Sequence, residues 1–147
     1  MDINILIVLI QSIMLIITTV YVVLVYRTLR SNERLNQKRL FNEIVKQERE
    51  LRINLLKYRD IINDENLKEK RRRESKLDYD TLLFNYYEFL AICLRRNFVN
   101  EKDAMLFFEE SLKSVKEMFE VSLLFKGGYA KKEDYKGVHW LFKRWRI

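Results

Sequence analysis

The hydrophobic pattern of the chain changes sharply at residue 27. Residues 3–26 are 24 consecutive uncharged residues, of which 16 are Ile, Leu or Val, and charged residues are dense from Arg27 to the end. A helix of this length extends roughly 36 Å, and a hydrocarbon core is about 30 Å thick. At about −0.3 to −0.6 kcal/mol for each central Leu, Ile or Val, these side chains favour insertion by roughly 5–10 kcal/mol. The pattern therefore predicts a transmembrane anchor over residues 1–26.

Two other interpretations of this first segment fit the pattern less well. A cleaved signal peptide has a basic N-terminal region, a shorter apolar stretch and a small-residue cleavage site. Here the only charge before the apolar stretch is Asp2, and no Ala-x-Ala pattern follows it. The core helix of a small soluble domain is seldom apolar on all its faces.

The basic residues that flank the anchor predict its orientation. Arg27 and Arg30 follow the apolar stretch directly, Lys38 and Arg39 come soon after, and no basic residue precedes it. The positive-inside rule then places the N-terminus outside and the rest of the chain in the cytoplasm. Since the whole chain carries a net charge of +7 and Asp2 precedes the anchor, residues 27–147 carry +8. A basic domain of this kind is suited to an anionic inner leaflet.

The apolar positions of residues 27–66 repeat at alternating spacings of three and four. This heptad-like pattern predicts a long juxtamembrane amphipathic helix. Its candidate oligomer seam consists of Phe41, Ile44, Leu51, Leu55 and Tyr58. Two alternatives stay open: a coiled-coil stalk that makes a homo-oligomer, or one helix that packs on the rest of its own chain.

Residues 67–147 are predicted to form a small cytosolic helical domain. The chain contains no Pro, and its first Gly is Gly127, so nothing breaks a helix before that point. The predicted fold class is therefore all-α: a single N-terminal transmembrane helix, a long amphipathic helix and a small helical bundle. Asp64 or Asn66 is expected to cap the helix that follows the polar break at residues 63–66.

The later helices have recognisable boundaries. The helix predicted to begin at Lys68 is most apolar from Leu77 to about Arg96, and within that stretch Glu88 lies between aromatic residues and should need a partner such as Arg95 or Lys113. Asn100 is the expected N-cap of the next helix, predicted to extend from 101 to about 125. Gly127 is the expected left-handed cap, and a last helix is predicted from about 131 to 145.

The helix after the polar break begins with a basic run. Six of residues 68–76 are Lys or Arg, and the candidate contacts to an anionic ligand or lipid are Lys68, Lys70, Arg71, Arg72 and Arg73. Such a run is suited to anionic lipid headgroups, to nucleic-acid phosphates or to an anionic nucleotide. The alternative is a solvated helix face, since charge runs on helices are common.

The C-terminal segment mixes basic and aromatic residues. Its candidate interfacial contacts are Trp140, Lys143, Arg144 and Arg146. Interfacial helices have this composition, which suggests contact with lipid or an acidic partner. The favoured alternative is a closing helix whose aromatic side chains complete the core, with Val138 and Trp145 on its inner face.

The composition bounds the chemistry. Cys93 and His139 are the only residues of their kinds, so the usual His/Cys zinc sites are excluded within one chain. No glycine-rich phosphate loop is present, and one His on a predicted outer face supplies no orienting pair for acid–base or nucleophilic work. We therefore expect no catalytic residues, no metal site, no cofactor and no enzyme activity.

A set of positions in the apolar helix, the turn after it and the last helix forms a recognisable pattern: Asn85, Glu88, Leu90, Ala91, Asn100, Glu101, Asp103, Leu141 and Trp145. With this pattern, residues 77–146 together with the anchor resemble a bacterial and phage family of unknown function, the domain-of-unknown-function family numbered 4760. It implies an N-terminal membrane helix followed by a helical cytosolic domain, and it assigns no catalytic residue. A Gly that the family pattern has in the turn is replaced here by Asn97-Phe98.

Three functions follow from these patterns. The first is a single-pass interaction or regulatory module of the bacterial inner membrane that recruits a cytoplasmic protein partner, with phage exclusion or an accessory role in antiphage defence as the setting that family analogy suggests. The second is a basic helical sensor that binds nucleic acid, an anionic nucleotide or a lipid through the basic run. The third is a small membrane-perturbing effector, although the apolar stretch has no ionisable residue to line a channel.

Overall fold

The computed structural model describes the backbone of residues 3–147 and the side chains of residues 13–147. The described chain is all helical, with helices α1 (Ile3–Asn63), α2 (Glu69–Arg95), α3 (Glu101–Val121), α4 (Leu123–Lys126) and α5 (Lys136–Arg144). A single 3-10 turn, Lys132–Asp134, precedes α5. The all-α prediction is therefore confirmed.

Helix α1 contributes residues to two compact units, which divide after Asn36. Within the first unit, every described side chain, from Ile13 to Asn36, is exposed. By length and composition this helix is apolar enough to cross a membrane: within residues 13–63, an 18-residue stretch has a mean hydropathy of 1.7, and none of that stretch is buried. The predictions for residues 1 and 2 lie outside the described residues.

The second unit, residues 37–147, holds the hydrophobic core. Helix α2 is contacted by α3, α4 and α5. The largest fully buried side chains come from four helices: Phe84, Phe108, Phe119, Ile44, Leu90, Leu112, Leu141, Val115 and Val138. Residues 37–63 thus share a core with the later helices, and the predicted division at residues 26 and 66 stays a prediction.

The candidate oligomer seam is used inside the monomer. Ile44 and Leu55 are buried, and Phe41, Leu51 and Tyr58 are half-buried. The Tyr86 hydroxyl donates to the Ile44 carbonyl at 3.0 Å. This face of the helix therefore packs on its own chain, and the homo-oligomer stays a prediction.

Two predicted caps are wrong and one is confirmed. The Asp64 carboxylate accepts the Asn66 backbone N–H at 2.9 Å inside the turn, and Lys68 stands at the N-cap of α2 with no side-chain capping bond. Asn100 caps α3 as predicted, accepting from the backbone N–H groups of Lys102 and Asp103. The left-handed glycine is Gly128, with φ of 72°, and not Gly127.

Helix α3 ends four residues earlier than predicted. Ser122 interrupts it, and the Ser122 hydroxyl oxygen accepts the Leu124 N–H at 3.1 Å, which caps the short α4. Because of this break, the position that faces the core shifts by one residue, from 123 to 124. Leu124 is buried, and Leu123 is only half-buried.

Glu88 fixes the start of α5. Its carboxylate accepts the backbone N–H of Gly137 at 2.8 Å and that of Val138 at 2.9 Å. A carboxylate is stabilised there because the first N–H groups of a helix have no partner within it. The expected partners Arg95 and Lys113 are therefore wrong, since backbone amides take both oxygens.

A Cβ on Gly137 would lie 2.8 Å from Ala91 Cβ, so α2 and α5 approach closely at this glycine.

Candidate functional site

The basic run divides into an outer part and an inner part. Lys68, Lys70 and Arg71 are exposed and line none of the described cavities. Arg72 is half-buried and Arg73 is exposed, and both side chains line one cavity. A helix turns by about 100° per residue, so the five basic positions within residues 68–73 cannot share one face. The run is therefore not one contact surface.

The inner part faces a cavity of about 510 Å³, which we call the cationic cavity. Its lining combines three cations, one carboxylate and two apolar side chains: Arg72, Arg73, Lys76, Glu69, Ile62 and Leu123. Arg72 and Lys76 are four residues apart, so they lie on adjacent turns of the same α2 face. Helix α1 contributes Ile62 and α4 contributes Leu123.

A second cavity of about 250 Å³ adjoins the first and shares Ile62 and Lys76 with it. We call it the Asp80 cavity, and its lining comes from α1, α2, α3 and the break after α3: Arg59, Ile62, Lys76, Tyr79, Asp80, Met118, Val121 and Ser122. Together the two cavities form a cleft between the end of α1, the first half of α2 and the end of α3.

Two further cavities continue along the end of α1. They enclose about 370 and about 240 Å³, and both are lined by Arg52, Leu55 and Tyr79. Arg52 is held in place there, because it pairs with the buried Glu48 carboxylate and donates to the Ser111 hydroxyl at 3.0 Å. Glu48, which interrupts the heptad pattern, thus has a structural partner.

The cations of the cleft differ from Arg52 in having no carboxylate close by. Among the described residues, no carboxylate oxygen lies within 4.0 Å of the side-chain nitrogens of Arg59, Arg72, Arg73 or Lys76. The Nε of Arg72 is shielded from solvent and has no hydrogen-bond acceptor among the described residues. Buried donors are normally paired, so an unpaired guanidinium nitrogen beside a cavity is an unusual feature.

Asp80 is the acidic group of the cleft. It is 4 % exposed, and its carboxylate accepts the Ser122 hydroxyl. Burial raises the pKa of Asp80 above its ordinary value of 3.8, while the Ser122 hydrogen bond and the nearby Lys76 charge oppose that shift. The carboxylate therefore weakens the folded state when it ionises, since desolvation penalises the charged form.

We expect Asp80→Asn to make the protein's stability less dependent on pH. A raised folded pKa contributes stability that is full below the unfolded value and is lost as pH rises through the folded pKa. The free energy of unfolding of the native chain should therefore fall relative to that of Asp80→Asn as the pH is raised from about 4 toward neutral. Urea unfolding followed by tryptophan fluorescence measures this difference.

Asp78→Asn is the matched control for removing one carboxylate from α2, because Asp78 is exposed. The Asn side chain at position 80 retains an oxygen that can accept the Ser122 hydroxyl, so the comparison isolates the charge. A difference between native chain and Asp80→Asn that stays constant across this pH range would contradict the assignment.

The C-terminal candidates are mostly engaged within the domain. Arg144 donates to both Glu101 oxygens, at 2.7 and 2.9 Å, and the Trp145 indole N–H donates to the same carboxylate at 3.2 Å. The Arg144 hydrogen bonds hold the pKa of Glu101 below its usual value. Trp140 is half-buried against the core, and only Lys143 and Arg146 of the four are exposed and without such a bond. The segment is thus a closing helix, because its aromatic side chains face inward.

Cys93 lies in the core at 4 % exposure, and burial raises the pKa of its thiol. A buried neutral thiol is a poor nucleophile. Among the described residues, no three His, Cys, Asp or Glu side chains lie close enough together to hold a metal ion.

Sequence reasoning missed Arg59, Lys76, Asp80 and Ser122. Their spacing contained a signal: positions 72, 76 and 80 lie on one α2 face, and positions 55, 59 and 62 lie on one α1 face. Which of these faces meet depends on how the helices pack, and residue spacing within one helix does not specify that.

Comparison with known proteins adds no relative to this description. No protein-family model, no curated protein and no solved structure matches the chain. The resemblance to family 4760 therefore stays a prediction.

Proposed function

We propose that this protein is a single-pass, membrane-anchored regulatory module that presents a helical binding domain at the inner face of a bacterial membrane. The observation that carries the proposal is the contrast between the two units. From Ile13 to Val25 all the apolar side chains of α1 are exposed, whereas residues 37–147 bury their own core. Soluble proteins rarely expose so large an apolar surface, and a bilayer would cover it.

The charge distribution supports the cytoplasmic placement of the domain. Arg27 and Arg30 follow the apolar stretch, and residues 27–147 carry +8. Each Lys or Arg near an anionic leaflet contributes about 1 kcal/mol of attraction. We expect the domain to work by binding, since the cleft offers unpaired cations and apolar walls. The cytoplasmic partner would bind to the domain at this cleft. The phage-exclusion setting and the membrane-perturbing alternative rest on no described contact and stay predictions.

Membrane fractionation tests the proposal. We expect the full-length protein to stay in the membrane pellet after alkaline carbonate treatment and to be released by detergent, because an apolar helix is held by the bilayer and not by charge. In intact spheroplasts, external protease should remove a tag fused to the N-terminus and leave a tag after Ile147 intact. Both tags should be cleaved after lysis. Carbonate release, or an N-terminal tag protected in intact spheroplasts, would overturn the proposal.

A further inference from the structure

The cationic cavity has an excess of positive charge that the domain does not neutralise. Arg72, Arg73 and Lys76 face one carboxylate, Glu69, so the lining carries a net charge of +2. Elsewhere in the same domain, some surface cations have a carboxylate partner, for example Lys132 with Glu120 at 2.7 Å and Lys113 with Glu110 at 2.6 Å. The repulsion among the cavity cations would be relieved by an anion bound between them.

Arg72 is the half-buried cation of the lining. Its Nε is buried and has no acceptor among the described residues. The guanidinium fork matches phosphate and carboxylate oxygens, which accept two parallel N–H bonds. A doubly charged phosphate monoester matches a net charge of +2 better than a carboxylate does, because it carries about −1.5 to −2 at neutral pH.

The rest of the cavity suits an organic body attached to that phosphate. Ile62 and Leu123 form apolar walls, and the volume of about 510 Å³ falls in the usual range for small-molecule sites, about 300–1,000 Å³. The adjoining Asp80 cavity extends this space past Lys76 and adds the Tyr79 ring and Met118.

We propose that the cationic cavity is a binding site for a phosphate monoester, whose phosphate is held by Arg72, Arg73 and Lys76 and whose organic body lies against Ile62 and Leu123. The phosphate can belong to a soluble nucleotide or to the headgroup of a lipid. The inference goes beyond the proposed anchoring, because such binding requires the folded cleft and not an inserted helix.

The test compares two triple variants of the full-length chain in neutral detergent. Arg72→Gln/Arg73→Gln/Lys76→Gln removes the cavity cations. Lys68→Gln/Lys70→Gln/Arg71→Gln removes three charges from the neighbouring positions, which line none of the described cavities. The probes are AMP, measured by calorimetry, and phosphatidic acid in mixed micelles, measured by the shift of the tryptophan-monitored melting temperature against phosphatidylcholine. All measurements use about 150 mM salt, where weak surface attraction is screened.

We expect at least one probe to bind and its affinity to fall by about 100-fold or more in the cavity variant, since each lost charge-assisted bond is worth about tenfold. The outer variant should bind within about threefold of the native chain.

Binding of AMP identifies a soluble source, and binding of phosphatidic acid alone identifies a lipid source. Arg73→Gln/Lys76→Gln, which changes exposed residues only, covers the case in which the triple variant does not fold. No binding of either probe, or equal losses in the two triple variants, overturns the proposal.

Discussion

Replacing Phe119 with Ala is expected to lower the free energy of unfolding by about 3–5 kcal/mol, the usual effect of truncating a buried phenylalanine. Phe119 is fully buried. Its ring centre lies 4.9 Å from that of Phe84 and 4.7 Å from that of Phe125, and it also contacts Tyr135 and Phe142. The substitution thus removes a ring that α2, α4 and α5 share, and the cavity left behind cannot be closed by any one of them. Urea unfolding followed by circular dichroism measures the loss.

Leu106→Ala is the control for this prediction. It lies on the same helix and is 87 % exposed, so its replacement should change the free energy of unfolding by no more than about 0.5 kcal/mol. Since small domains are stable by only about 5–15 kcal/mol, Phe119→Ala removes a large part of the total. Similar losses for the two variants would mean that the aromatic cluster around Phe119 does not hold the domain together.

Placing two arginines in the middle of the apolar stretch is expected to release the protein from the membrane. Leu15 and Ile16 lie near the centre of residues 3–26, and both are exposed. Each Arg at the centre of a membrane helix disfavours insertion by about 2.5–3.5 kcal/mol, so the double variant Leu15→Arg/Ile16→Arg loses about 5–7 kcal/mol. That loss is comparable to the whole favourable contribution of the Ile, Leu and Val side chains. Carbonate extraction of membranes from cells that express each variant measures the effect.

The matched control places the same two charges outside the stretch. Leu29 and Leu35 are also exposed, and both follow Arg27. Leu29→Arg/Leu35→Arg adds positive charge on the predicted cytoplasmic side, so it should leave the protein in the membrane pellet. If both double variants stayed in the pellet, retention would depend on the folded domain and not on the apolar helix.

Local patterns were sufficient to predict the long helices, although the last helix begins at Lys136 and not at about 131, because a 3-10 turn over Lys132–Asp134 precedes it. The alternating apolar spacing predicted that Ile44 and Leu55 share a face, and both are buried. The Asn side chain before an acidic helix start predicted the cap at Asn100, which the structure confirms. These predictions succeed because a cap or a face depends on residues within about one or two turns.

Long-range partners were not predictable in the same way. Glu88 was assigned a cationic partner, yet it accepts two backbone N–H groups about 50 positions away in the chain. The end of α3 was placed at 125, yet Ser122 ends the helix while bonded to Asp80 on α2. In both cases a contact between two helices supplied the competing hydrogen bonds. The residue pattern within one helix does not specify such a contact.

The sequence by itself determined the apolar stretch, the change to dense charge at residue 27, and the all-helical character of the rest, because these depend on composition and on spacing within single helices. Only the tertiary structure decided what the helices do together. It turned the heptad pattern inward, since Ile44 contacts Tyr86 of α2 and Phe41 contacts Phe107 of α3. It also separated Arg72 from Arg71, because packing against Ile62 and Leu123 placed one side chain at a cavity and left the other in solvent.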